Sequence, residues 1–154
     1  MTELSVEVVE LEPMRVVSVY GFGKEPEGIA WDKLMAWAQP RGLVDSPDHF
    51  RIFGFNNPNP SPGSPNYGYE FWLAVGEDVE PEGDMRVLDF GGGLYAVTRC
   101  QGVESIGVTW QALVEWLTAS SYTHGHHQWL ERHLSPVGTS LDELTLDLFM
   151  PIVK

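Results

Sequence analysis

The sequence has one cysteine, Cys100, which excludes an intramolecular disulfide and a thiolate metal set. Basic residues are also scarce: nine Lys plus Arg stand against 22 Asp plus Glu, a formal charge of -13. A phosphate backbone meets net repulsion from such a chain, and no Lys/Arg cluster offsets it locally, so direct nucleic-acid binding is not expected. No apolar run approaches the roughly 20 residues of a membrane helix. The start, MTELSVEVVELEP, lacks the basic residues and apolar core of a signal peptide. A cytoplasmic location without a membrane partner follows as the expectation. GxSxG, HExxH, CxxC and Walker sequences are absent, and Gly91-Gly92-Gly93 reads as a hairpin turn rather than a phosphate cradle. His124, His126 and His127 lack an acidic or thiolate neighbour at ligand spacing, so they read as surface residues. Neither metal nor cofactor is expected.

What remains is an aromatic-rich globular chain. Its 154 residues match one domain, and 43% hydrophobic against 20% charged residues excludes disorder as the default. The acidic field draws cations, including cationic small molecules, toward any cleft.

The chain repeats itself. With a shift of 79 residues, Glu7–Ala38 runs without a gap onto Arg86–Leu117. Identical pairs include Gly23/Gly102, Glu25/Glu104, Gly28/Gly107, Trp31/Trp110, Leu34/Leu113 and Trp37/Trp116. Two tryptophans at matched spacing distinguish duplication from a shared helical pattern. In the first copy Ser5–Leu11 and Arg15–Tyr20 read as strands in a hairpin, broken at Pro13, and Gly28–Ala38 as a helix with one apolar stripe. In the second copy Arg86–Phe90 and Leu94–Cys100 form the hairpin and Ile106–Ala119 the helix. The strands expected after the helices are Phe50–Phe55 and Tyr69–Val75, then Gln128–Leu134 and Leu144–Ile152. The predicted class is α+β: one domain over residues 1–154, built from repeats at about 4–76 and 85–152. Each repeat is a strand–helix–strand–strand unit with an added strand. An antiparallel sheet carries both main helices on one face, with a ligand cleft at the pseudo-twofold seam. The Pro-rich Asn56–Gly68 suits a rim or a crossover, and Glu77–Asp84 a solvated linker.

Two carboxylates stand in aromatic company. On a strand, Glu70 shares a face with Trp72, and Glu131 shares one with Trp129 and His133. A buried carboxylate needs a partner. With aromatic walls it suits a lipophilic cation, and with a raised pKa it suits a general acid or base. The alternatives are an edge-strand acid in water or an ion pair with Arg51, Arg99 or Arg132. Tyr67, Tyr69 and Tyr95 are strand tyrosines whose hydroxyls want partners, and the four repeated tryptophans read as core.

The duplicated units, GLYAVTRCQGVESIGVTWQALVEWL, and QWLERHL followed by LDLFMPI resemble the gyrase-inhibitory-protein-like superfamily. That superfamily includes effector-binding domains of bacterial multidrug-responsive transcription activators. Tyr95, Gly102, Trp110, Leu113, Trp116, Glu131 and Pro151 stand at the family's motif positions, while His133 replaces an expected Tyr. The resemblance implies an aromatic small-molecule pocket between the repeats, with Glu131 as its carboxylate. Glu131, Glu70, Trp72, Trp129, Tyr67, Tyr95 and His133 are the candidate ligand-binding residues. Some members resemble hydrolases that open a strained cyclopropane, a chemistry for which Glu70 and Glu131 would be the catalytic pair. The activators' DNA-binding module is not expected in this chain, since the repeats take up nearly all of residues 1–154. Three readings follow: a binder of hydrophobic or cationic small molecules; a hydrolase of a reactive electrophile; and an inhibitor or regulator of a protein partner. Self-association as a homodimer stays open.

Overall fold

The computed structural model describes residues 5–44, 51–56, 66–81, 83, 85–135 and 140–154. Nine strands and two α-helices are assigned among them: β1 (Glu7–Leu11), β2 (Met14–Gly23), α1 (Pro26–Ala38), β3 (Ile52–Asn56), β4 (Tyr67–Ala74), β5 (Arg86–Phe90), β6 (Gly93–Gln101), α2 (Ile106–Ala119), β7 (Thr123–His124), β8 (Leu130–His133) and β9 (Thr145–Val153). No described helix is long and apolar enough to cross a membrane. Most of the Pro-rich segment and two residues of the acidic linker lie outside the described residues.

The chain divides into two compact units, a contiguous one over Met14–Phe90 and a two-segment one of Met1–Pro13 with Gly91–Lys154. In the contiguous unit β2 is flanked by β4 and β5, and β3 pairs with β4, all antiparallel. In the two-segment unit β6 lies between β1 and β9, and β8 and the short β7 pair along the other edge of β9. Each unit is thus a strand–helix–strand–strand repeat with one added edge strand, and the two-segment unit carries the two-residue β7 besides, an α+β antiparallel design.

The added strands correct the hairpin expectation. β1 pairs with β6 and β5 with β2, rather than each with its sequence neighbour. The exchange is symmetric: Glu7 stands opposite Val97, and 79 residues away along each strand Arg86 stands opposite Ser18. Two-residue hairpins need a positive φ at a central residue. Between β1 and β2 only Glu12 and Pro13 are available; proline fixes φ near −65°, and among the described residues no non-glycine residue has positive φ. Between β5 and β6 Gly92 does adopt φ 78°, but its Cα faces the Leu11 carbonyl so closely that any Cβ would collide with it. The glycine serves strand β1, not a β5–β6 turn.

Helix α1 begins with Pro26, whose missing N–H would have no helical acceptor at that position. Its Ala30, Leu34, Trp37 and Ala38 form one buried stripe at helical spacing. Strand alternation sends Val17, Val19, Phe71 and Leu73 to the face that carries α1, where Trp31 meets Phe71 edge to face at 5.3 Å. In the two-segment unit the corresponding core joins Leu113 and Leu117 of α2 to Ala96, Cys100, Leu146, Leu148, Met150 and Ile152. Trp110, Val114 and Trp116 pack against it while partly exposed. The tryptophans repeated in the sequence are therefore core or its margin.

Candidate functional site

Glu70 lies on β4 opposite Tyr20 and Phe55, on the face turned away from α1. It is 3% exposed. Its Oε2 accepts hydrogen bonds from Ser18 Oγ at 2.8 Å and from Trp72 Nε1 at 3.0 Å. Arg86 Nη2 of β5 stands 3.7 Å from Oε1, and that arginine side chain is 63% exposed. Trp72 is itself held between Phe55, at 4.9 Å, and Phe90, at 5.3 Å. Strand register explains the grouping: Ser18 stands opposite both Trp72 and Arg86, so four functional side chains converge from three neighbouring strands. A buried carboxylate is tolerable here because two neutral donors and one cation answer it.

Glu131 has a different setting. It stands on β8 opposite Leu148, hence on the face that carries α2. Its Oε2 accepts a hydrogen bond from Trp110 Nε1 at 3.2 Å. Trp110 tilts against Trp129 at 5.3 Å, and Trp129, 37% exposed, stacks on His124 at 5.6 Å. His133 shares the Glu131 face, and desolvation of its charged form pushes its pKa down to about 4.

The two acids are not repeat counterparts. Tyr20 pairs with Glu70, and 79 residues on Arg99 pairs with Asp147, so the counterpart of Glu70 is Asp147. Arg99 and Asp147 form a surface ion pair at 2.9 Å, with the arginine side chain 65% exposed. The counterpart of Glu131 is Gly54, opposite Phe71 as Glu131 is opposite Leu148. A Cβ at Gly54 would run into the Tyr69 ring, which fills that space in the contiguous unit. Glu70 therefore faces away from the helix of its unit, and Glu131 faces toward the helix of its own.

The tyrosine candidates are engaged. Tyr67 donates to Glu27 Oε2 at 2.9 Å, and burial together with that carboxylate pushes its pKa up to about 12. Tyr95 is fully buried, donates to the Gln128 carbonyl, and meets His127 and Phe149 edge-on. Burial raises its pKa further. His127 donates from Nε2 to the Leu94 carbonyl at 2.7 Å, so it belongs to the packing, whereas His124 and His126 are exposed as expected. No group of three or more His, Cys, Asp or Glu among the described residues could hold a metal ion.

Sequence reasoning missed Ser18, Arg86 and Phe55 beside Glu70, and Trp110 beside Glu131. Ser18 sits in VVSVY, a polar residue inside an apolar strand, and that was the available signal. Arg86 gave none, because its contact depends on the exchange of β1 and β5.

The GyrI-like small molecule binding domain model matches residues 4–153. No curated protein matches the sequence significantly. Among solved structures, the C-terminal domain of EcmrR is 14% identical at TM-score 0.74, covering 99% of each chain. In the EcmrR–DNA complex the match spans only 58% of the EcmrR chain. A hydrolase from Listeria innocua is 14% identical at TM-score 0.69, covering 96% of this chain and 91% of that one. SAV2435, bound to tetraphenylphosphonium, is 13% identical at TM-score 0.60, covering 97% and 94%. At such identities the likeness is one of fold. With its matching units and a family match over nearly its whole length, the chain belongs to the GyrI-like family of small molecule binding domains.

Proposed function

We propose that this domain binds hydrophobic organic cations, with Glu70 as the counter-charge and Trp72 as the aromatic wall. The observation that carries the reading is a carboxylate 3% exposed, fixed through Oε2 by Ser18 and Trp72 and bordered by Phe55 and Tyr20. A charge in poorly solvated surroundings attracts a cation far more strongly than one in water. Ring faces add quadrupole attraction, and apolar ligand surface adds about 25 cal/mol per Å² removed from water. Because Ser18 and Trp72 hold the carboxylate in place, little ordering is left for the ligand to impose. The acidic balance of the chain, -13, works in the same direction. That SAV2435 was solved with tetraphenylphosphonium makes this cation the natural probe.

Trp fluorescence titration tests the reading with two ions of one shape and opposite charge. Tetraphenylphosphonium should quench saturably and tetraphenylborate should not, and Glu70→Gln should weaken the phosphonium by about tenfold or more. Equal binding of both ions, or an unaffected Glu70→Gln variant, refutes the assignment.

A further inference from the structure

The Glu70 carboxylate carries its own counter-ion. Arg86 Nη2 approaches Oε1 to 3.7 Å, too long for a strong hydrogen-bonded pair and short enough for charge compensation. The partners are unequal: the Arg86 side chain is 63% exposed and the Glu70 side chain 4%. Oε2, by contrast, is held by two neutral donors from within the sheet, Ser18 and Trp72. Arg86 opens β5, the edge strand of its unit, and so projects from the sheet margin.

We infer that Arg86 is a displaceable internal counter-ion that sets the affinity threshold of the Glu70 site for cationic ligands. The inference rests on the reading of Glu70 as the ligand counter-charge. Displacing Arg86 into water costs little, since guanidinium needs no buried partner and its stem can move with the head solvated. Displacing Ser18 or Trp72 would leave a buried donor unanswered, so a cation meets the carboxylate from the Arg86 side. A small cation gains little by replacing one positive charge with another. A ligand with a large apolar body also gains the surface of Trp72 and Phe90, and outcompetes the arginine. Arg86 is thus a specificity-determining residue, favouring bulky lipophilic cations by occupying the carboxylate against the rest.

The test is a double-mutant cycle on tetraphenylphosphonium affinity, read by Trp fluorescence with wild type, Arg86→Ala, Glu70→Gln and the double variant. Arg86→Ala should bind about fivefold tighter, the scale of an exposed ion pair removed. In the Glu70→Gln background the same change should have no effect. Arg86→Gln, which keeps the length of the side chain, replaces Arg86→Ala if that variant does not fold. Weaker or unchanged binding by Arg86→Ala, with Glu70→Gln still impaired, overturns the counter-ion role alone. Equal tightening in the Glu70→Gln background overturns it too, because Arg86 would then act through general charge. If Glu70→Gln binds like wild type, the underlying reading of the site fails.

Discussion

Glu131 accepts a hydrogen bond from the Trp110 indole at 3.2 Å, linking β8 to α2 across the packed face of the two-segment unit. Gly54, its counterpart in the contiguous unit, leaves that space to the Tyr69 ring. The same layer is therefore closed by a polar bond in one repeat and by an aromatic ring in the other. Trp110→Phe removes the donor and leaves a half-buried carboxylate facing a hydrocarbon edge, and should cost about 1–2 kcal/mol in urea unfolding. Glu131→Gln keeps an acceptor oxygen and should cost less than half as much. Equal losses in the two variants would show that shape rather than the bond matters here.

Glu70 calls for the opposite pair of substitutions. Glu70→Gln retains an oxygen for Ser18 and Trp72, so its stability cost should be small, within about 1 kcal/mol. Glu70→Leu leaves both donors buried without an acceptor and should cost about 2–4 kcal/mol. Chemical denaturation of the two variants provides the comparison. A Leu variant as stable as the Gln variant would mean that Ser18 and Trp72 find other acceptors.

The α+β class with its duplicated unit, both helices and eight of the nine strands assigned among the described residues were legible in the sequence, because period and repeated tryptophans report on local packing; the two-residue β7 was not expected. Helix α2 was expected over Ile106–Ala119 and has those bounds. The partners of β1 and β5 were not legible. A strand's alternation says which of its faces is buried, but nothing in Glu7–Leu11 distinguishes β2 from β6 as its neighbour. The one local clue was negative, since Glu12-Pro13 is unsuited to a tight hairpin. The pairing of Glu70 with Arg86 followed from that exchange and was hidden with it. Trp72 beside Glu70 was readable, since residues two apart on a strand share a face.

The exchanged strand β1 makes a prediction of its own. It pairs with β6 over Glu7–Leu11, and the Ser5 carbonyl accepts from Thr98 Oγ1 at 2.8 Å. Deleting residues 1–11 should speed hydrogen exchange of the amides in the β1-paired part of β6, Gly93–Val97, by about tenfold or more. Amides of β2 that face β5, over Met14–Ser18, should change far less, because their partner strand is intact. Uniform acceleration through both sets would show that the strand stabilises the chain as a whole.

His133 supplies a pH dependence whose sign is fixed by its surroundings. Desolvation lowers its folded pKa to about 4, below the ordinary value of 6.5. Below pH 6.5 the unfolded chain therefore binds a proton that the folded chain refuses, so stability must fall as pH drops from about 6.5 toward 4. The stability is fully present above the unfolded value and is lost as acid approaches the folded one. Its upper bound is about 3.5 kcal/mol, from roughly 1.4 kcal/mol for each pH unit of separation. Between pH 5 and 6.5 most carboxylates remain ionised, so the histidine dominates that window. His133→Phe replaces the imidazole with a ring that has no proton to gain, and should flatten the slope there. Urea midpoints measured at half-unit steps read the difference directly. If the wild-type and Phe curves run parallel from pH 6.5 to 5, the imidazole on the α2 face reaches solvent when it charges, and its desolvation is not what this layer of the fold imposes.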